Sequence, residues 1–400
     1  MSATAPARNT IGLASGSIVS GVLAYAVFAL TTRALGSADA APVAVLWTYW
    51  GLSAAALTFP VQHWIARSVA AQQSEAGVRA DLPRLGLVVG ASTVVTGLGA
   101  YAAKGLLFDG LGAFAWLVAL TTIGSGLMGL VRGLLTARGR FVEVGQVLIA
   151  ENAVRLLCVS ILVLIGVTSP VAYGIALLAG YLACAGWPSA WSPTGDEAQG
   201  AGVLGFLGGA TGGQVLGQVV LVGPPVLLAL LGGGAAQVTA LFAALALARA
   251  PFLVVLGQVA QLTGFFTRLV VSGRLERLGR LHRTITVGGL VLAGLAAGLG
   301  ALLGPWLVRV VFGAEVAVVP VVAALLAAGS AYALANLVLS VLLYAYARTS
   351  RVLLGWLISV APGALTLSIG PGTRIETVAW AFLVTEAAAW LVLALFARRR

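Results

Sequence analysis

Glu151, Asn152 and Arg155 form the most chemically loaded cluster in this 400-residue chain. Glu151 and Arg155 stand four apart, so on a helix they share a face and can pair across one turn. They lie in an apolar stretch, where a charge costs about 2.5–3.5 kcal/mol on insertion scales and needs a partner, a cavity or a ligand. The cluster reads either as a self-neutralised structural pair or as a polar lining with Arg155 open to an anionic headgroup. Arg249 is two residues before Pro251, with no acid near it in sequence. It either faces a water-filled cavity or an anionic ligand, or it pairs with Glu386 in the last apolar stretch. Arg33 closes the first stretch and either snorkels to an interface or meets a ligand. Gln214 and Gln218 are four apart and flank a stripe of Gly205, Gly209, Gly213 and Gly217. Asn336, Gln258 and Gln261 read as hydrogen bonds between helices.

The elements that position these groups are apolar spans. Hydrophobic residues make up 60% of the chain and charged residues 9%, against roughly 25% charged in soluble domains. A spanning helix needs about 20 apolar residues. The pattern predicts spans at 10–32, 41–63, 85–104, 111–131, 143–166, 170–189, 203–231, 235–263, 285–311, 317–346, 352–370 and 376–397. The expected architecture is all-α: a polytopic membrane protein of about 12 transmembrane helices in two parallel six-helix bundles.

Of the 23 Lys and Arg residues, most then fall on one side, including Arg67, Arg79, Arg84, Arg132, Arg138, Arg140 and the group from Arg268 to Arg283. Only Arg33, Lys104, Arg309 and Arg374 fall on the other. Cytoplasmic loops retain Lys and Arg during insertion, so both termini are expected in the cytoplasm and the protein in the cell membrane. The net charge of +11 is split among short loops, which argues for topology and attraction to membrane lipids rather than for nucleic acid. Cys158 and Cys184 lie in spans without metal-ligand spacing. No phosphate-binding Gly-Lys-Ser/Thr loop is present, and neither His63 nor His282 joins acids or cysteines. The reading is a non-enzyme with no metal and no cofactor.

Pro193, Gly195, Asp196 and Glu197 mark a midpoint linker. The expected division is an N-terminal bundle at 1–192, a cytoplasmic linker at 193–202 and a C-terminal bundle at 203–400. The halves look related. Leu134-Leu135-x-Ala137-x-x-Arg140 after the fourth span matches Leu342-Leu343-x-Ala345-x-x-Arg348 after the tenth, and Leu35-Gly36 matches Leu231-Gly232. An even number of spans per half makes the repeat parallel, which puts a substrate site between the halves. In the seventh span the glycine stripe, Gly209 and Gly213 above all, permits close packing. Gly223-Pro224-Pro225 then predicts a bend, with Pro224 and Pro225 as a hinge in the sharper reading.

Several stretches resemble polysaccharide-biosynthesis flippases of the Wzx type, in the multidrug/oligosaccharidyl-lipid/polysaccharide exporter superfamily. Arg33-Ala34-Leu35-Gly36 is similar to that family's Arg-x-Leu-Gly turn. Arg132-Gly133-Leu134-Leu135 and Arg138-Gly139-Arg140-Phe141 resemble its turn after the fourth helix. Ala240 to Arg268 with Leu275-Glu276-Arg277-Leu278, and Leu307 to Glu315, resemble its eighth and ninth helices. The resemblance implies a cavity between helices one, two, seven and eight. It also implies flipping of a polyprenyl-pyrophosphate-linked saccharide, with proteins of polysaccharide assembly as further partners. A cationic cavity suits a pyrophosphate, which makes Arg33, Arg155, Arg249, Glu151, Asn152, Gln214 and Gln218 the candidate substrate contacts. The alternative is an ion-coupled multidrug or small-molecule exporter of the same superfamily. Such antiporters commonly carry acids in helix one or seven, and this chain has none within 10–32 or 203–231.

Overall fold

The computed structural model describes residues 4–195, 202–204, 212–256, 259–346, 348–370 and 372–398. Gly205, Gly209 and Gln258 lie outside the described residues, as do the side chains of Gln214 and Gln261. The chain divides into two compact units, Met1–Thr211 and Gly212–Arg400.

The first unit contains α1 (Thr4–Asp39), α2 (Ala41–Gln72), α3 (Ala76–Ala102), α4 (Ala113–Ala137), α5 (Phe141–Leu164) and α6 (Pro170–Gly186). Pro42 and Pro170 open α2 and α6, where a missing N–H costs nothing. Within α2 a π-turn spans Ala54–Thr58, just ahead of Pro60. Such a turn inserts one residue where the proline ring crowds the regular ladder. The closest helix approach joins α1 to α5: a Cβ on Gly16 would stand 2.6 Å from the Cα of Gly145. The core gathers Val61, Trp64, Ile65, Met128, Leu134, Val147 and Cys184.

The second unit contains α7 (Gly212–Val222), α8 (Pro224–Leu230), α9 (Ala235–Ala248), α10 (Ala250–Leu256), α11 (Val259–Val271), α12 (Leu275–Phe312), α13 (Pro320–Ala345), α14 (Thr349–Ile369) and α15 (Arg374–Ala397). The seventh span is interrupted at Gly223, between α7 and α8. The eighth is broken into α9, α10 and α11. Gly213 and Gly217 abut α14: their Cβ positions would lie 2.8 Å from the Leu353 amide nitrogen and from the Trp356 ring. Leu339, Leu342, Leu343, Trp356, Leu393 and Phe266 build this unit's core.

Nine helices among the described residues are long and apolar enough to cross a membrane, with Pro170–Gly186 and Ala235–Ala248 as shorter apolar helices. The protein is an all-α, multi-pass membrane protein.

The repeated motifs carry matching backbone. Gly36 kinks α1 near its end and Gly232 follows α8, at φ 76° and 73°, positive values that favour glycine. Arg140 and Arg348 each precede a helix with φ/ψ of −84/53° and −103/47°. Each donates its amide to the leucine five residues earlier, Leu135 or Leu343, at 2.9 Å.

Two boundaries differ from the sequence expectation. The first unit runs to Thr211 rather than to 192. The chain after α6 is tied down on this unit: Thr194 donates its amide to Glu75 at 2.7 Å, Gly195 accepts from Arg79 at 3.0 Å, and Val203 donates to Asp81 at 3.1 Å. Arg132 is not a loop residue. α4 continues to Ala137, and Arg132 is 5% exposed within it. The hydropathy pattern ends the span at the charge, but a buried carboxylate lets the helix run on.

Candidate functional site

That carboxylate is Glu151. It stands on α5 between two arginines, bonded to Arg132 of α4 and to Arg155 one turn on, the latter at 2.5 Å. Arg155 is fully buried and every face of its guanidinium is engaged. Nη1 donates to Asn152 Oδ1 at 3.0 Å, Nε donates to the Leu177 carbonyl at 2.8 Å, and the Trp50 ring stacks on it at 4.5 Å. Asn152 in turn donates to Ser20 Oγ on α1 at 2.8 Å. Gly180 leaves the space, since a Cβ there would lie 2.5 Å from Arg155 Nε. The cluster joins α1, α2, α4, α5 and α6 at one point.

Sequence reasoning found Glu151, Asn152 and Arg155 but missed Arg132, the second cation. The cue was present: Arg132 lies in Leu130-Val131-Arg132-Gly133-Leu134-Leu135, with apolar residues on both sides.

The second unit holds a different arrangement. A cavity of about 70 Å³ is lined by Gln218, Phe252, Ser340, Tyr344, Trp356 and Glu386, among others. Glu386, on α15, is fully buried. Its hydrogen-bond partner is Asn336 of α13, whose Nδ2 donates to Glu386 Oε2 at 2.8 Å and to the Glu386 carbonyl at 3.0 Å. Glu386 Oε1 and Asn336 Oδ1 have no hydrogen-bond partner among the described residues. Two buried acceptors thus stand unfilled, one of them on a residue that lines the cavity. Arg249 is not the partner of Glu386. It is half-buried, with its guanidinium 5.7 Å from the ring centre of Phe242, seven residues earlier. Arg33 is exposed near the end of α1. Of the candidate residues, the structure gathers Glu151, Asn152 and Arg155 in the first unit. It places Gln218 on the second unit's cavity, where Glu386 joins it.

Buried acceptors without donors carry a desolvation cost unless something donates to or coordinates them. The chemistry of a carboxylate oxygen beside an amide oxygen fits a proton or a small monovalent cation. The five-helix cluster around Arg155 offers the opposite: both Glu151 oxygens and the Arg155 guanidinium are taken up within it, although the buried Arg132 Nε has no hydrogen-bond partner among the described residues.

Solved structures of like fold agree with this architecture. The chain matches a multidrug resistance MATE family transporter of the MOP superfamily, in an inward-facing conformation, with a TM-score of 0.65 at 16% identity over 97% of this chain and 93% of that one. It matches the eukaryotic MATE transporter AtDTX14 with a TM-score of 0.64 at 15% identity, over 98% and 94%. It matches the Vibrio cholerae MATE transporter VcmN with a TM-score of 0.59 at 15% identity, over 98% and 95%. The fold is that of these transporters. In sequence, the chain is 29% identical over 376 residues to the uncharacterized protein Rv1510 of Mycobacterium tuberculosis (strain ATCC 25618 / H37Rv), covering 88% of this chain and 83% of that protein. It is equally similar to the uncharacterized protein MT1558/MT1560 of strain CDC 1551 / Oshkosh. No family model matches the chain.

Proposed function

We propose that the chain is an ion-coupled exporter of small molecules, with Glu386 and Asn336 as its coupling site. The observation that carries this reading is the unfilled Oε1 of a fully buried glutamate that lines a cavity. Acids inside membrane segments mark ion pathways and proton relays. The fold shared with multidrug transporters supports the same reading. The coupling acid then lies in the twelfth span, not in the first or seventh, which is why its absence there does not exclude an exporter. The termini face the cytoplasm in this reading, from the Lys and Arg bias.

The test is dye efflux from proteoliposomes under an imposed proton or sodium gradient. The wild type should drive efflux with one of the two. Glu386→Gln, which keeps the shape and the bond to Asn336, should lose gradient-driven efflux while still binding dye. Full coupling in that variant overturns the proposal.

The second reading, a flippase for polyprenyl-pyrophosphate-linked saccharides, rests on the motif resemblance and on the lack of acids within 10–32 and 203–231. Its cationic contact is then Arg249 or Arg33, because Arg155 is closed off by its own partners. Flipping assayed in the same proteoliposomes separates the two readings: saccharide flipping without gradient-driven dye efflux favours this one.

A further inference from the structure

The cytoplasm-facing basic segments of the two units are built differently. In the first unit three of the arginines are neutralised in place. Arg84 pairs with Asp81 at 2.5 Å, Arg138 with Glu75 at 2.7 Å and Arg140 with Glu143 at 2.5 Å. In the second unit Arg268, Arg274, Arg277, Arg280 and Arg283 are all exposed, and none has a carboxylate partner among the described residues. The one acid among them, Glu276, is exposed and has no ion-pair partner among the described residues.

Helix geometry concentrates these charges. α12 has 38 residues, about 57 Å at 1.5 Å per residue, against about 30 Å of hydrocarbon. Its N-terminal turns therefore project past the apolar layer. Leu278 is 1% exposed and packs on the unit's core with Leu281 and Ile285. That register turns Arg277, Arg280 and Arg283 outward at successive positions three apart, a row along one flank of the helix. Just before it, Val271 is 82% exposed between Arg268 and Arg274. An apolar tip set among unpaired cations is the composition of a segment that sits at a charged lipid interface.

We propose that the segment from Arg268 to Arg283 is a binding surface for anionic phospholipid of the cytoplasmic leaflet. Val271 enters the acyl boundary, and the arginines take phosphate groups through charge-assisted, two-pronged hydrogen bonds. Topology alone calls for positive charge here, but it does not call for charge left without a carboxylate on one helix flank, where Arg277 lies over the Phe265 ring at 6.0 Å. The first unit pairs Arg84, Arg138 and Arg140 of its own basic segments with carboxylates and satisfies the same topological rule. The proposal rests on the orientation given above and is independent of what the protein transports.

The test uses the full-length protein in neutral detergent with short-chain phosphatidylglycerol or phosphatidylcholine, at two salt concentrations. The wild type should bind phosphatidylglycerol saturably and at least tenfold tighter than phosphatidylcholine, with the preference falling as salt rises. Replacing Arg274, Arg277, Arg280 and Arg283 with Gln should abolish the preference, and replacing them with Lys should retain it in part. If the Gln variant does not insert, Glu276→Gln serves instead, and should tighten phosphatidylglycerol binding about fivefold by removing the one opposing charge. Equal binding of the two lipids by the wild type overturns the proposal. So does an unchanged preference in the Gln variant or in Glu276→Gln. Binding of an acidic peptide at low salt, with no lipid preference, would show the surface to be a protein contact and would equally overturn it.

Discussion

Each unit buries a glutamate within a long apolar helix, Glu151 in one and Glu386 in the other, and the two are treated in opposite ways. Glu151 lies between Arg132 and Arg155 and uses both oxygens. Glu386 has Asn336 on one oxygen and no hydrogen-bond partner among the described residues on the other. In the first arrangement the charges, the amide and the stacked ring fix five helices to one another, with the buried Arg132 Nε left without a hydrogen-bond partner among the described residues. The second is incomplete, and it lines a cavity. A buried ion pair with satisfied partners resists change, because removing one member strands the rest. A buried acid with a vacant oxygen gains by accepting a proton or a cation. On the function proposed above, the difference separates a girder from a site, although the two residues look alike in sequence.

The sharpest way to break this comparison is to neutralise each acid in turn. Glu151→Gln leaves two buried arginines without a counter-charge and should cost about 3–5 kcal/mol, enough to lose most of the folded protein. Glu386→Gln should keep the protein folded, within about 1 kcal/mol of wild type, and remove ion coupling. Thermal unfolding followed by fluorescence-detected gel filtration measures both. Equal destabilisation by the two variants would mean that Glu386 is a girder as well. Adding Arg132→Met and Arg155→Met to Glu151→Gln should recover much of the loss, since an apolar replacement of a whole buried network is often tolerated.

Smaller effects are expected at the glycines that make room for each arrangement. Gly180→Ala puts a methyl 2.5 Å from Arg155 Nε and 2.8 Å from the Glu151 carbonyl. Overpacking of this kind costs about 1–3 kcal/mol, and it should appear as lowered stability in the first unit. Gly213→Leu pushes against backbone, with its Cβ 2.8 Å from the Leu353 amide nitrogen. It should separate α7 from α14, open the Glu386 cavity and reduce transport more than stability. Unchanged transport in a stable Gly213→Leu protein would detach the cavity from function.

The apolar pattern made the helical class, the number of spans and the twofold repeat legible, because the bilayer leaves helices as the way to satisfy a backbone in hydrocarbon. The Gly36/Gly232 and Arg140/Arg348 pairs were readable for a local reason: each sets its own turn. Arg132 was not, since a span is read as ending at a charge and the partner that keeps it buried lies on another helix. Asn336 and Glu386 are 50 residues apart, so their meeting is a product of packing alone. The start of α12 was missed for the opposite reason. Its turns before residue 285 are too basic for a span, yet Leu278 and Leu281 hold them helical against the core.

The smallest test concerns how the first unit holds the chain that leads to the second. Glu75 accepts two bonds from Arg138, at 2.7 and 2.8 Å, and also the amide and hydroxyl of Thr194 at 2.7 and 3.1 Å. The Arg138 guanidinium bonded to its carboxylate, more than anything else nearby, holds the Glu75 carboxyl below the usual glutamate value and raises that of Arg138 in turn. A carboxyl lowered on folding stabilises the folded state above its unfolded value. It loses that contribution as pH falls through the lowered one. The Glu75 contact is therefore intact at neutral pH and fails only in acid, below the ordinary glutamate range. Glu75→Gln should lower stability by about 1 kcal/mol or less, as near-surface pairs do, and should remove part of the acid-side decline in unfolding temperature. It should also expose the chain near Thr194 to protease at neutral pH, as acid does in the wild type. A cleavage rate unchanged in Glu75→Gln would mean that Arg79 and Asp81 hold the segment without it.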